Sequence, residues 1–156
     1  MSELSKLDFL LGRWKGISVD QFGEKGTLET TLECTHYPSE KFIQLSGESR
    51  KDGKILNRGV EFIGYDQKLQ KYIYKRIWSY GFIENGVGDW EDQDTLMFDI
   101  RFDNEPQYFE GTRWRAFIRR YGRDRIGTGL YTAKSGEEYR LYGESKIDRI
   151  SEASQT

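Results

Sequence analysis

Leu7-Asp8-Phe9-Leu10-Leu11-Gly12-Arg13-Trp14 decides the fold of this chain, because the spacing of apolar residues changes character inside it. Leu4, Leu7 and Leu11 recur at helical spacing with Leu10 beside them, which predicts a short apolar helix. Ser5 and Asp8 form a variant capping box, and Gly12 suits the left-handed position past a helix end. Beyond Trp14 the period becomes two. Leu28, Thr30, Leu32 and Cys34 alternate with Glu29, Thr31 and Glu33, and Leu96, Phe98, Ile100 and Phe102 alternate with Asp99 and Arg101. Such segments read as strands with one face buried and one face wet.

Turn chemistry punctuates these runs, at Gly23–Gly26, Lys51–Lys54, Tyr65–Lys68, Glu91–Asp94, Asp103–Pro106 and Lys134–Glu137. The spacing predicts ten strands, at about residues 13–22, 26–36, 41–50, 54–65, 70–79, 81–90, 94–103, 107–120, 125–133 and 138–148. Short, evenly spaced strands joined by tight turns imply an all-β antiparallel up-and-down meander. So many strands would leave open edges unless the sheet closes into a barrel; a two-sheet sandwich is the structural alternative. Residues 1–150 read as one domain and 151–156 as a flexible tail.

Composition bounds the function. Of the 156 residues, 36% are hydrophobic, 32% charged and 15% aromatic, which suits a water-soluble domain with bulk for a core. A net charge of −2 provides no global field toward nucleic acid or an anionic membrane. The single Cys34 cannot form an internal disulfide, and no run approaches the roughly 18 apolar residues of a membrane span. Without a basic, apolar leader at Met1-Ser2-Glu3-Leu4, the expected location is cytoplasmic. There is no Gly-x-Ser-x-Gly, no phosphate loop, no dinucleotide fingerprint and no clustered Cys/His set, so no metal or cofactor is expected. A homodimer stays open.

Several segments resemble a family. Leu10-Leu11-Gly12-Arg13-Trp14-Lys15-Gly16 looks like the Leu-Leu-Gly-x-Trp-x-Gly opening of nitrobindin-like and related bacterial calycin domains. Phe62-Ile63-Gly64-Tyr65-Asp66, followed by Lys71-Tyr72, is similar to a segment of another bacterial family with that fold. Arg149 sits where such chains end on an arginine that packs near the first-strand tryptophan. The resemblance spans roughly residues 7 to 150. It implies a calycin-type barrel, of the lipocalin or fatty-acid-binding kind, closed at one end by the helix, with Gly12, Trp14 and Arg149 as its structural signature. A cation, Arg149 or Arg140, would lie over the Trp14 face. Nitrobindins bind haem through a histidine near the C-terminus. Here the one histidine is His36, and none lies between Gly122 and Thr156, so haem ligation of that type is not expected.

The candidate site comes from strand parity. On Tyr72-Ile73-Tyr74-Lys75-Arg76-Ile77-Trp78 the even register turns Tyr72, Tyr74, Arg76 and Trp78 inward and leaves the lysines in water. Leu56, Val60 and Phe62 alternate with Asn57, Gly59 and Glu61, which places Arg58 on the apolar face of its strand. In the eighth segment Glu110 and Trp114 share a face with Ala116 and Ile118. An aromatic interior with an arginine is a receptacle for a small hydrophobic or aromatic, anionic ligand, since guanidinium pairs bidentately with carboxylate. Equally, Arg58 and Arg76 are buried and paired with Glu110 or Glu84. Arg140-Leu141-Tyr142 resembles the arginine-any-tyrosine pair by which fatty-acid-binding proteins hold a carboxylate, although Tyr139, Leu141 and Ile147 on the other face aim Arg140 outward. Two rival classes remain: an isomerase, cyclase or lyase working beside Glu110, and an interaction module built on the arginine wall of Arg113, Arg115 and Arg119. A neutralised outer wall is the plainer reading of those arginines.

Overall fold

A computed structural model describes residues 2–19 and 27–151 of the chain. A 3₁₀ helix over Leu4–Leu10 leads into ten strands: β1 Gly12–Val19, β2 Thr27–His36, β3 Ile43–Lys51, β4 Lys54–Asp66, β5 Lys71–Trp78, β6 Ile83–Trp90, β7 Thr95–Phe102, β8 Thr112–Arg120, β9 Arg125–Lys134 and β10 Arg140–Ser151. Each strand pairs antiparallel with its sequence neighbour. β1 then closes on β10 through Trp14 opposite Arg149 and Lys15 opposite Asp148, so the sheet is a closed barrel. Closure removes the two open edges that a ten-stranded meander would otherwise expose.

The helix winds at three residues per turn, so Leu4, Leu7 and Leu10 eclipse on one face and all three are buried. Leu11 leaves that face, because its extended backbone ends the helix. Ser5 is not the cap. Glu3 holds the N-cap position without a side-chain cap, and the Ser2 hydroxyl accepts the Ser5 N–H at 3.2 Å. Gly12 opens β1 at φ +128°, a conformation closed to other residues, and turns the chain from helix into barrel wall.

That corner builds a plug. Trp14 is fully buried, and its indole N–H donates to the Leu10 carbonyl at 2.8 Å. Arg149 lies over the indole, its Cζ 4.2 Å from the ring centroid, and donates to the carbonyls of Leu11 (2.6 Å) and Phe9 (2.7 Å). The guanidinium thus caps the carbonyls the short helix leaves open. Ile43, Ile63, Tyr72, Leu96, Ile126 and Ile147, all fully buried, fill the barrel above the plug. His36 stays at the rim, its Nδ1 3.1 Å from the Phe42 carbonyl and its Nε2 3.5 Å from Asp8.

Three local expectations need correction. β8 begins at Thr112, not near 107, because Gln107–Phe109 forms a separate 3₁₀ turn. Parity on β4 is the reverse of the apolar alternation: Ile63 is fully buried and Glu61 nearly so, whereas Arg58 faces out with 64% of its side chain exposed, 3.5 Å from Glu48. Phe62 and Val60 instead belong to an outer apolar belt, where Phe62 meets Tyr37 and Val60 lies opposite Ile77. β10 carries a bulge between Leu141 and Gly143. The bulge breaks strict alternation there, so Leu141 is exposed instead of sharing the inward face of Ile147, while Arg140 faces outward as expected. Of the expected turns, Gly23–Gly26 lies outside the described residues, as does the tail beyond Ser151.

The arginines of the β8 wall are each held by neighbours, and Asp99 neutralises Arg115. Arg115 donates to Asp99 at 2.8 Å and stacks 4.3 Å from the Tyr139 ring centre; Arg113 donates to the Glu137 carbonyl at 2.7 Å. Arg119 donates to Thr95 (3.1 Å) and Tyr131 (3.2 Å).

Candidate functional site

Toward the end opposite the plug the barrel is not filled. A cavity of about 110 Å³ lies within it, walled by Leu32, Leu45, Phe98, Ile118 and Leu130. A second hollow of about 120 Å³ opens at the barrel mouth among Trp78, Phe82, Phe102, Phe109, Trp114 and Tyr142. Asn57, Trp78 and Leu130 border both. Each is well below the roughly 300 Å³ at which drug-sized sites begin, so together they suit a compact molecule.

Between the hollows stands a row of charges fixed by strand register. Glu61 on β4 lies opposite Arg76 on β5, which lies opposite Glu84 on β6. Arg76 Nε is 3.1 Å from Glu61 Oε2 and 3.2 Å from Glu84 Oε2, yet its N–H is aligned with neither. The guanidinium also stacks near Tyr74 and Trp78, with Cζ 5.2 and 5.0 Å from the ring centres. Space for those rings comes from inward glycines: a Cβ on Gly86 would collide with the Tyr74 ring, and one on Gly59 would meet Trp78 at 3.2 Å.

Two carboxylates share one guanidinium. Burial raises the pKa of Glu61; Arg76 opposes that rise and Glu84 adds to it. Burial alone would pull Arg76 down, but Glu61, Glu84 and Tyr74 together hold its pKa above the ordinary value. The Tyr74 hydroxyl is pushed well up by burial, and so is the enclosed Cys34 thiol. Neither group ionises readily, which removes a thiolate or phenolate nucleophile from the interior.

Four buried side-chain atoms in and around this row have no hydrogen-bond partner among the described residues: Tyr74 Oη, Arg76 Nε, Glu84 Oε2 and Trp114 Nε1. Glu84 and Trp114 both line the mouth hollow. Buried polar atoms are nearly always satisfied, so each such exception calls for an explanation.

The residues singled out by sequence fall into separate places. Arg76 and Trp78 border the hollows and Trp114 walls the mouth. Tyr74 lies beneath the guanidinium. Tyr72 points inward but belongs to the plug: its hydroxyl donates to the Glu3 carbonyl at 2.7 Å and accepts the Trp90 N–H at 3.1 Å. Burial raises its pKa to about 12. Arg58 is outside, as described. Glu110 is exposed, following the 3₁₀ turn instead of continuing a strand, and so cannot act as an interior base or as a partner for Arg76. Of the two partners considered for Arg76, Glu84 is present and Glu110 is not.

Glu61 and the mouth aromatics Phe82, Phe102 and Phe109 were not singled out by sequence, and Tyr142 only as part of the Arg140-Leu141-Tyr142 match. A buried arginine needs more than one acceptor, and Glu61 becomes visible once β4 is registered against β5 rather than read alone. The bulge in β10 hides Tyr142, whose ring centre lies 5.0 Å from that of Trp114.

No protein-family model matches the sequence, and no curated protein sequence matches it. Solved structures do. Rv2717c from M. tuberculosis superposes with a TM-score of 0.64 at 15% identity, covering 94% of this chain and 96% of that one. The S-type phycobiliprotein lyase CPES from Guillardia theta superposes with a TM-score of 0.53 at 10% identity, covering all of this chain and 94% of the other. The chain shares a calycin-like ten-stranded barrel fold with both.

The residues present do not fit a haem held by histidine, the type the resemblance implies. Among the described residues that wall the two hollows there is no histidine, cysteine or methionine to serve as axial ligand. The one histidine is held at the rim.

Proposed function

We propose that the barrel binds a small, largely apolar or aromatic molecule non-covalently in the two hollows. The observation that carries this reading is the pairing of apolar walls with the unpartnered indole N–H of Trp114 at the mouth, beside Glu84, whose Oε2 makes no hydrogen bond and shares Arg76 with Glu61. Folding has desolvated Trp114 Nε1 without giving it a partner among the described residues, which costs about 1–3 kcal/mol. A ligand that supplies the partner recovers part of that free energy. The apolar walls provide the rest through the area they remove from water.

The pairing of Arg76 with two carboxylates argues against its selecting an anionic head. The guanidinium charge is already shared between those two, and a third carboxylate would meet net repulsion. Glu61 and Glu84 therefore replace Arg58 and Glu110 in the proposed site, beside Tyr74, Arg76, Trp78 and Trp114.

Para-cresol, a compact aromatic with one hydroxyl, is a direct probe. Saturation-transfer NMR should show it bound, and excess probe should raise the melting temperature. Leu130→Trp, which fills the residue bordering both hollows, should abolish both effects, with Ala116→Phe as a second blocking variant. No binding to the wild type, or binding unchanged in folded blocking variants, would refute the reading.

A further inference from the structure

The geometry points to a ligand class: the mouth hollow takes a small N-methylated organic cation, its positive centre against Glu84 and inside a ring of aromatic side chains. This rests on the reading that the barrel holds a small ligand, and narrows it.

The wall comes first. Phe82, Phe102 and Phe109 are in mutual ring contact, with centroids 5.4–6.3 Å apart, and Phe109–Trp114 and Trp114–Tyr142 continue the chain at 5.0 Å each. Trp78 closes the side toward Arg76. Aromatic faces are electronegative, and a cation within about 6 Å of a ring centroid is attracted, most strongly where water is excluded. A hollow of about 120 Å³ walled this way matches a compact ammonium centre carrying methyl groups.

Charge selects next. Glu84 sits at the boundary of that hollow, 4% exposed, with Oε2 lacking a hydrogen bond. Arg76 cannot neutralise it alone, because Glu61 draws on the same guanidinium from the other side. The row Glu61–Arg76–Glu84 thus carries more acidic than basic groups, and its excess faces the aromatic ring. An anion entering there would meet a carboxylate and π faces, both repulsive. An uncharged apolar molecule would leave Glu84 with only its share of the Arg76 charge. A cation approaching Glu84 from the side opposite Arg76 relieves that imbalance.

Methylation follows from the scarcity of acceptors. A primary ammonium carries three N–H donors, and the wall offers chiefly π faces around one carboxylate that Arg76 already contacts. Replacing N–H by N–CH₃ removes donors the site cannot satisfy while keeping the charge. Trp114 Nε1 contributes an unpartnered donor in the same hollow, so a hydroxyl or carbonyl oxygen on the ligand, a few bonds from nitrogen, would complete the match.

Choline and its uncharged carbon isostere 3,3-dimethyl-1-butanol separate the terms, since they share shape and hydroxyl and differ in charge. Calorimetric titration of the full chain should show choline binding at least tenfold more tightly. Glu84→Gln should remove at least tenfold of the choline affinity and leave the isostere unaffected. The wild-type comparison stands even if that variant does not fold. Equal or tighter binding of the isostere would overturn the cation assignment while leaving the barrel a ligand carrier. Absence of choline binding in protein that binds para-cresol would overturn it too. Failure of all three probes would instead remove the parent reading.

Discussion

The two ends of the barrel use the same kinds of residue in opposite ways. At the closed end the indole N–H of Trp14 reaches the Leu10 carbonyl, that of Trp90 reaches Tyr72, the Tyr72 hydroxyl reaches Glu3, and Arg149 spans the carbonyls of Phe9 and Leu11. At the open end Trp114 is also buried, yet its indole N–H has no partner among the described residues, and Glu84 Oε2, 3.2 Å from Arg76, makes no hydrogen bond. A tryptophan with its hydrogen bond made locks the fold. One held dry with its donor unused costs stability, and such a cost persists where something else uses the donor.

The largest effect is therefore expected at the plug. Trp14→Ala removes a fully buried indole, the hydrogen bond to Leu10 and the surface on which Arg149 stacks. Urea unfolding should register a loss of about 3–5 kcal/mol, the range for truncating a large aromatic in a core. A loss below about 1 kcal/mol would mean the closed end is not the stabilising half, and the contrast would fail.

Next comes the charge row between the two ends. Arg76→Met leaves Glu61 and Glu84 buried without a counter-charge, which should cost about 3–5 kcal/mol near pH 8. The pH dependence has a definite sign. Burial raises the folded-state pKa of Glu61 above its unfolded value of roughly 4.3, so the folded state binds more protons than the unfolded one between those two values. Stability then falls as pH rises through that window and is regained on acidification, because the protonated carboxyl is the form burial favours. Without Arg76, which holds the Glu61 pKa down, the window widens. The deficit of the variant relative to wild type should thus shrink between pH 8 and pH 5 in parallel denaturation curves. A pH-independent deficit would indicate lost packing of the arginine stem, not lost pairing.

How much of this was legible in the sequence depends on the range of the interaction that fixes it. The strands were legible because a half-buried strand writes its own period: Leu96, Phe98 and Ile100 alternate without reference to any other segment. The Tyr72–Trp78 register was legible for the same reason, since Lys71 and Lys75 have to face water. β4 was misread because apolar residues occupy both of its faces, Ile63 inside and Val60 and Phe62 in an outer belt, so period two no longer says which face is the core. What decides is the cross-strand row Glu61–Arg76–Glu84, a property of three strands together. Glu110 was misplaced by two residues of strand boundary, where Gln107–Phe109 curls into a turn. The mouth aromatics come from β5, β7, β8, β10 and the connections beside β6 and β8, and nothing local marks them as neighbours.

The smallest expected effect is the sharpest comparison, because one chemical change can be made at both ends. Trp→Phe keeps an aromatic ring and deletes the indole N–H. At position 14 it strands the Leu10 carbonyl in the plug and shrinks the ring under Arg149, which should cost about 1–3 kcal/mol. At position 114 the deleted donor had no partner to lose. Relief of its desolvation there offsets the lost ring area, so the change should stay within about 0.5 kcal/mol of neutral. The two Trp→Phe variants, compared by urea unfolding at one pH, isolate what a satisfied indole contributes from what its bulk contributes. Equal losses would place an unseen acceptor at Trp114 and take from the open end the feature that separates it from the closed one.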